Sequence, residues 1–320
     1  MDSQEQKIAL ISGISGQDGG FLAKLLLQKG YRVFGTSRDA QISGFRNLDR
    51  LGIRQEVTLL SMEIRDFRSV LQVLEKTRPD EIYNLAGQSS VGLSFDQPVE
   101  TFESISVAVL NLLEATRFLS RPVRLYTAGS SECFGDTGGE PADENTPFRP
   151  RSPYAVAKAA AFWESANYRE AYGVYACTGI LFNHESFLRP EGFVTRKIVS
   201  AACRIAGGSK EKLYLGNMNV ARDWGWAPEY VEAMWLMLQQ PEPEDYVIAT
   251  GQTHLLSEFV AEAFSRLKLD WREHVECNPE LMRPTDIMVS AANPLKAARK
   301  LGWRAGYAMP DVVQLMVDGC

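Results

Sequence analysis

Apolar and polar positions alternate along this chain in two rhythms, one of strands and one of helices. Residues 7–12 (KIALIS) form a short apolar run of the buried-strand type. Residues 21–29 carry the period of an amphipathic helix closed by Gly30, and 31–36 (YRVFGT) read as a second strand. Strand, glycine-rich turn, helix and strand therefore fit within about thirty residues. The rhythm then repeats. Strands are predicted at 57–62 (VTLLSM), 81–87 (EIYNLAG), 123–129 (VRLYTAG) and 174–182 (VYACTGILF). Helices are predicted at 66–76, 101–119 and 154–172, with a Pro/Arg-rich loop at 148–153. Repeated β-α units predict an α/β fold, a Rossmann-like, doubly wound and mainly parallel sheet with helices on both faces.

The second half is less regular. Residues 193–206 read as a helix carrying Arg196, Lys197 and Arg204, 212–216 as a short strand, and 217–226 as a loop containing Arg222. Residues 230–238 (YVEAMWLML) read as a core helix, and 296–300 and 310–316 as terminal helices. Residues 1–182 with roughly 222–251 are assigned to the sheet domain, and 183–221 with roughly 252–320 to a smaller α/β C-terminal substrate lobe. His254 and His274 have no recognisable partners and read as surface residues.

Composition narrows the partners. The 320 residues are 45% apolar and 23% charged, which permits a sizeable core. A net charge of −6 provides no basic excess for a nucleic acid or an anionic membrane surface, although a few placed arginines can hold a phosphorylated small molecule. The five cysteines, Cys133, Cys177, Cys203, Cys277 and Cys320, are scattered, with no CxxC and no Cys/His cluster. Neither a disulfide framework nor a metal site is expected. With no recognisable signal peptide, the expected location is reducing cytoplasm. The longest apolar runs are far shorter than a membrane span.

The chemistry-bearing residues sit where the strand–helix rhythm places them. Gly13-Ile14-Ser15-Gly16-Gln17-Asp18-Gly19 is a G-x-x-G-x-x-G turn following a strand and opening a helix. Glycines there let the backbone approach a pyrophosphate seated at the helix N-terminus, so a dinucleotide is expected. After the second strand comes Thr36-Ser37-Arg38-Asp39, in which Arg38 suits the 2′-phosphate of NADP while Asp39 would suit NAD. The strand at 123–129 delivers Ser130 and Glu132 to the carboxyl end of the sheet, where ligands bind in open α/β folds.

Tyr154 and Lys158 are four apart, one helical turn, and share a face. A phenol with a reference pKa of ~10 becomes a usable base only if a neighbouring cation stabilises the phenolate; a shift of ~3 units needs ~4 kcal/mol. Ser130 can hold an oxygen and Glu132 can move a proton. Y-x-x-x-K by itself is common on solvated helices; its position after the strand that bears Ser130 singles it out. Arg222 and Arg283 are candidates for a diphosphate, the alternative being structural ion pairs with Asp223 or Asp286.

With those residues in place, the chain resembles the extended short-chain dehydrogenase/reductases, and within them the GDP-mannose 4,6-dehydratase family. ALISGISGQDGG, PRSPYAVAK, NYREAYGVYAC, GILFNHES, FVTRKI, LGNMNVARDWGWAPEYVEAMWLMLQ, PEDYVIATG, RPTDI and KLGW all read like that family's runs. The resemblance implies that the family's threonine–serine–glutamate triplet falls on Ser130-Ser131-Glu132, and its tyrosine and lysine on Tyr154 and Lys158. It implies cofactor contacts at Gly13, Ile14, Ser15, Gly16, Gln17, Asp18, Arg38, Glu63, Ile64, Leu85, Ala86, Gln88, Ser89, Tyr154, Lys158, His184 and Arg189. It implies substrate contacts at Ser89, Ser130, Asn183, Lys197, Arg222 and Arg283.

The chain departs from the family at three places. Serine stands for threonine at 130. Phe187-Leu188-Arg189-Pro190 stands where the family commonly has Pro-Arg-Arg-Gly, and Ser37-Arg38 where it has two arginines. In the family that last loop also reaches a neighbouring subunit. The implied reaction is an internal redox on a GDP-sugar. NADP takes a hydride from C4 while Tyr154 takes the hydroxyl proton, Glu132 removes the C5 proton, water leaves from C6, and the hydride returns to C6. The alternatives are a GDP-heptose dehydratase, a sugar-nucleotide decarboxylase or 4-epimerase and, in another class, a non-catalytic NADP-dependent sensor or scaffold. Helices of this superfamily commonly pair subunits, so at least a homodimer is expected, and a homotetramer is possible.

Overall fold

Ala9, Leu10 and Ile11 are wholly buried, and the strand they form lies inside a parallel sheet. The computed structural model describes residues 6–119, 121–282 and 285–320. In chain order the elements are β1 (Ile8–Ser12), α1 (Gln17–Gln28), β2 (Arg32–Ser37), α2 (Arg46–Arg50), β3 (Thr58–Ser61) and α3 (Phe67–Thr77). Next come β4 (Glu81–Asn84), α4 (Val91–Asp96), α5 (Pro98–Phe102), α6 (Ala108–Phe118), β5 (Arg124–Ala128) and α7 (Pro153–Tyr172). They continue with β6 (Tyr175–Leu181), β7 (Asn183–Glu185), α8 (Val194–Ala206), β8 (Leu213–Leu215), β9 (Ala221–Trp226) and α9 (Ala227–Gln239). The last are β10 (Tyr246–Ile248), β11 (Thr253–Leu255), α10 (Leu256–Arg266), β12 (Val275–Cys277), α11 (Leu295–Lys300) and α12 (Met309–Asp318).

Two units divide the chain. One comprises Met1–Ser130, Ser152–Ile180 and Val231–Tyr246; the other comprises Ser131–Arg151, Leu181–Tyr230 and Val247–Cys320. The expected division, residues 1–182 with roughly 222–251 against 183–221 with roughly 252–320, has the chain cross three times; these two units have it cross five times. Of residues 222–251, Val231–Tyr246 fall in the first unit and the remainder in the second.

Among the described residues, the main sheet has seven strands in the order β10-β6-β5-β4-β1-β2-β3. Every pair from β3 across to β6 is parallel. Strands buried on both faces favour near-continuous apolar runs, as β1 and β6 show, while β4 buries Glu81 and Asn84 as well. Leu10, Ile82, Leu125 and Ala176 of the sheet pack with Leu74 of α3, Leu112 of α6 and Ala157 and Ala161 of α7. Strand order reverses between β1 and β4, the topological switch point at which such sheets bind ligands.

In the second unit, β7, β9 and β11 form one small sheet and β8 and β12 another. Its core joins Ile198 and Ala202 of α8, Trp224 of β9, Phe259 and Phe264 of α10, and Val313 and Met316 of α12. The segment at 287–293 runs between β9 and the loop after Ser131. Val289 bridges Ala221, Ala292 bridges Ala142, and Thr137 N donates to Val289 O at 2.9 Å.

Three predicted elements differ from the observed ones. The helix expected at 101–119 is α5, a π-helical turn at Glu103–Val107, and α6. The wide turn lets Ser104 Oγ accept from Gln88 N at 3.2 Å and Ser106 Oγ donate to Glu164 Oε1 at 2.6 Å. The loop expected at 217–226 contains β9, whose polar Arg222 and Asp223 disguise a strand buried along its whole length. The strand expected at 81–87 ends at Asn84, and the small residues after it form a loop.

Candidate active site

The glycine turn lies at the switch point. Gly13 has φ +78, a left-handed conformation, and a Cβ there would sit 2.7 Å from Leu85 O and 2.8 Å from Ala86 N. A Cβ on Gly19 would lie 2.5 Å from Gly13 O. Only glycines allow this packing of the turn against the end of β4. Gly16 caps α1 without a side-chain hydrogen bond. Ile14 and Gln17 are buried, and Gln17 Nε2 donates to Asp18 Oδ1 at 3.0 Å. Ser15 is exposed and its carbonyl accepts from Asn47 Nδ2 at 3.0 Å.

Other predicted cofactor residues line the same carboxyl ends. Arg38 follows β2, largely exposed, 3.8 Å from the Glu100 carboxylate. Glu63 is held by Arg65 through bonds of 2.9 and 3.0 Å, which keep its carboxyl below the usual carboxylate range. Ile64 is buried and its carbonyl accepts from Asn111 Nδ2 at 3.0 Å. Leu85 and Ala86 face the glycine turn, and Ser89 is exposed. Gln88 is engaged by its own loop, donating from Nε2 to Ser90 O at 2.8 Å and to Thr101 Oγ1 at 3.2 Å.

The Tyr–Lys pair is set by the capping of α7. Ser152 accepts from Ala155 N at 3.1 Å, Pro153 opens the first turn, and Gly173 at φ +66 ends the helix. Tyr154 and Lys158 stand one turn apart, with Lys158 Nζ 5.8 Å from the Tyr154 ring centre. Lys158 Nζ also donates to Ala128 O at 2.7 Å. That bond ties α7 to the last residue of β5, the strand that leads into Ser130. Tyr154 and Ser130 are each 8% exposed. Ser130, Tyr154 and Lys158 thus all belong to the first unit, the serine just after β5 and the other two in the first turns of α7.

Glu132 belongs to the second unit, half-buried in the 3-10 turn Ser131–Phe134. Its loop is anchored by Asp136, which accepts from Gly138 N and Met288 N, each at 2.9 Å. Burial disfavours the Asp136 carboxylate, but those N–H groups and the Arg222 charge outweigh it and hold the carboxyl below its usual range.

Also in the second unit, β7 and β9 run parallel and place Asn183 beside Trp224 and His184 beside Gly225. His184 Nδ1 donates to Phe182 O at 2.8 Å, and its ring stacks on Tyr230 with centroids 4.6 Å apart. Arg189 folds back on its own turn, donating from Nε to Glu185 Oε2 at 2.8 Å and from Nη2 to the His184 carbonyl. Lys197 is exposed on α8 and donates to Tyr214 O at 2.7 Å. Arg222 is 7% exposed and donates from Nη1 to the carbonyls of Ala221 and Ile287, both at 2.9 Å. Arg283 lies outside the described residues.

Sequence reasoning offered Asp223 only as an ion-pair partner for Arg222. Its carboxylate instead accepts from the backbone of Thr250, Gly251 and Gln252 at 3.0, 2.7 and 3.1 Å. Burial pushes it up to about 6 despite those bonds. The roles of Asp223 and Asp136 were missed, because an acid that caps distant N–H groups leaves no periodic signal. The two histidines read as partnerless have neighbours: His254 Nδ1 is 3.4 Å from Glu258 Oε2, and His274 stacks on Phe264 at 5.9 Å. Among the described residues no cluster of His, Cys, Asp and Glu could hold a metal.

Comparison with known proteins adds to this geometry. The family model for GDP-mannose 4,6 dehydratase matches residues 10–316. GDP-mannose 4,6 dehydratase 1 of Arabidopsis thaliana is 46% identical over 323 residues, covering 98% of this chain and 89% of its own. The GDP-mannose 4,6 dehydratase of Dictyostelium discoideum is 42% identical over 341 residues, covering 98% of this chain and 96% of its own. The solved UDP-glucose 4-epimerase of Thermus thermophilus, in complex with NAD, matches with a TM-score of 0.85 at 27% identity and covers 98% of each chain. With the family model spanning nearly the whole sequence and relatives this similar along it, the chain belongs to the GDP-mannose 4,6-dehydratase family.

Proposed function

We propose that this enzyme, a carbon–oxygen lyase, converts GDP-mannose to GDP-4-keto-6-deoxymannose using NADP. The observation that carries the reading is the Lys158–Ala128 bond, which fixes the Tyr154–Lys158 helix to the end of the strand leading into Ser130. Family membership supplies the substrate class. The cofactor fits the first unit. A close-packed glycine turn at the switch point, at a helix opening that no side chain caps, is a cradle for a diphosphate. Exposed Arg38 after β2 favours the 2′-phosphate of NADP.

When bound, the nicotinamide accepts hydride from C4 of the hexose and returns it at C6. Tyr154 takes the proton of the 4-hydroxyl as that carbon becomes a ketone. Lys158 holds the nicotinamide ribose and favours the phenolate. Ser130 holds O4 by hydrogen bond. The C4 ketone makes the C5 proton acidic; Glu132 removes it as general base and passes a proton to the C6 hydroxyl, which departs as water, and C5 is reprotonated once the hydride has reached C6. By the resemblance, Glu63, Ile64, Leu85, Ala86, Gln88 and Ser89 of the first unit and His184 and Arg189 of the second would hold the dinucleotide. Ser89, Asn183, Lys197, Arg222 and Arg283 are assigned to the sugar nucleotide, with the arginines on its diphosphate. The protein works in the cytoplasm as at least a homodimer. Among the described residues no helix is long and apolar enough to cross a membrane.

The test is a mass-spectrometric assay of the purified chain with GDP-mannose and NADP. Loss of one water from the sugar nucleotide, with no net accumulation of NADPH, is expected. No conversion of GDP-mannose, together with turnover of GDP-heptose or release of carbon dioxide from a sugar-nucleotide uronate, would overturn the assignment.

A further inference from the structure

Strands β2 and β3 end side by side in the first unit. Ser37 is in register with Ser61, and Met62 N donates to Ser37 O at 2.8 Å. An arginine follows each strand, Arg38 directly after β2 and Arg65 in the turn between β3 and α3. Asp39, the acid that would suit the ribose 2′-hydroxyl of NAD, is turned into its own loop, where Oδ1 accepts from Gln41 N at 2.8 Å and from Ile42 N at 3.4 Å. Arg38 Nη1 lies 3.8 Å from Glu100 Oε1 on α5. Three residues on, Glu103 opens the π-helical turn, and its Oε2 lies 3.8 Å from Arg65 Nη1. Residues three apart along a helix are neighbours on one face. Arg65 also grips Glu63, donating from Nε at 2.9 Å and from Nη2 at 3.0 Å.

These strand ends are rich in acid. A phosphate monoester carries a charge of about −1.5 to −2 at neutral pH, so every carboxylate near Arg38 works against it. Arg38 is 73% exposed, well screened by water, and shares its charge with Glu100. The Arg65 side chain is 32% exposed and less screened, and it stands against two further carboxylates, Glu63 and Glu103. Without that guanidinium, Glu63 and Glu103 would add their full charge to that of Glu100 at the place where the 2′-phosphate has to sit.

We propose that Arg65 is a specificity-determining residue for NADP over NAD, which neutralises Glu63 and Glu103 and so removes the acid charge that would repel the 2′-phosphate at Arg38. This role rests on the NADP reading given above and adds a residue that reading does not use. NAD carries a neutral hydroxyl in place of the phosphate, so its binding is indifferent to the charge of Arg65. The two dinucleotides thereby separate an electrostatic role from a structural one, because a distorted turn would weaken both.

Calorimetric titration of the full-length protein, freed of bound dinucleotide, with NADP and separately with NAD tests this. The wild type is expected to prefer NADP. Arg65→Gln should weaken NADP about 10-fold while leaving NAD within about twofold, and Arg65→Lys, which keeps the charge, should hold most of the preference. The NADP deficit of Arg65→Gln should shrink as salt is raised. Adding Glu103→Gln to Arg65→Gln should restore part of the lost NADP affinity, because an unpaired carboxylate leaves with it. A wild type that does not prefer NADP would overturn the cofactor reading and this role together. A wild type that prefers NADP, with Arg65→Gln weakening both dinucleotides alike or neither, or with no recovery in the double variant, would overturn the role of Arg65 alone.

Discussion

Exchanging Glu132 for glutamine preserves the shape of the side chain and removes its ability to take a proton. In Glu132→Gln, oxidation at C4 should survive while elimination falls about 10²–10⁴-fold, the range that general-base catalysis supplies. Rapid-mixing absorbance would show reduced cofactor persisting, and mass spectrometry would show little dehydrated product; undiminished product would remove Glu132 from its role. The placement of Tyr154 and Lys158 one turn apart on a helix, and of Ser130 after a strand, was legible in the sequence because four-residue spacing and strand ends are positional rules. Asp223 was not, since its partners are backbone groups of residues 250–252. Its folded value of about 6 lies above the ordinary ~3.9 of an unfolded aspartate. The folded state therefore binds the proton more tightly, and that stabilisation is complete below ~4 and lost as pH rises through about 6. Denaturant melts of wild type and Asp223→Asn at pH 4 and pH 7 would measure this. The wild type's stability relative to the variant should fall between those pH values by up to ~3 kcal/mol. A difference independent of pH would mean that Asp223 is ionised throughout.

At the scale of elements, the glycine turn shows how a sequence pattern becomes a site. Gly13 has both a left-handed φ and a backbone neighbour at 2.7 Å from any added Cβ, so alanine there is strained twice. A left-handed alanine costs ~1–2 kcal/mol before the clash with Leu85 O is counted. Gly13→Ala should therefore weaken NADP binding at least ~10-fold, as each 1.4 kcal/mol is a factor of ten. Calorimetric titration of NADP would read this, and an unchanged affinity would separate the turn from the cofactor. The strands β1, β2 and β5 and the helix α7 were legible because each follows one period from end to end. The pieces of 101–119 were not: a π-helical turn at Glu103–Val107 divides them, and the partners of Ser104 and Ser106 there are Gln88 and Glu164, outside the segment. β9 was hidden for a related reason. Arg222 and Asp223 occupy a strand with no alternation because buried carbonyls and N–H groups of other segments satisfy them.

At the scale of the molecule, the sequence announced a sheet unit and a second unit but not how often the chain passes between them. The return of Val231–Tyr246 to the sheet unit falls within the expected 222–251, whereas Ser131–Arg151 leaves for the second unit with no change of composition at its boundary. What the first unit leaves exposed carries a further consequence. On α7, Val156 and Trp163 are 46% and 63% exposed and lie seven residues apart on one face. On α5, Val99 and Phe102 are 68% and 40% exposed, three residues apart, and α5 packs against α7. Exposed apolar side chains of this size on adjacent helices are a candidate protein–protein surface, and a twofold axis would let one such surface satisfy itself. The chain is therefore expected to run at twice its 35.7 kDa mass in light scattering at micromolar concentration. Trp163→Glu places a charge at the centre of that patch, where pairing would have to desolvate it. The variant should run at single mass, with an unchanged far-ultraviolet circular dichroism spectrum because the side chain is mostly in solvent within the folded chain. A wild type of single mass, or a Trp163→Glu variant that still pairs, would assign the helices α5 and α7 to no subunit interface.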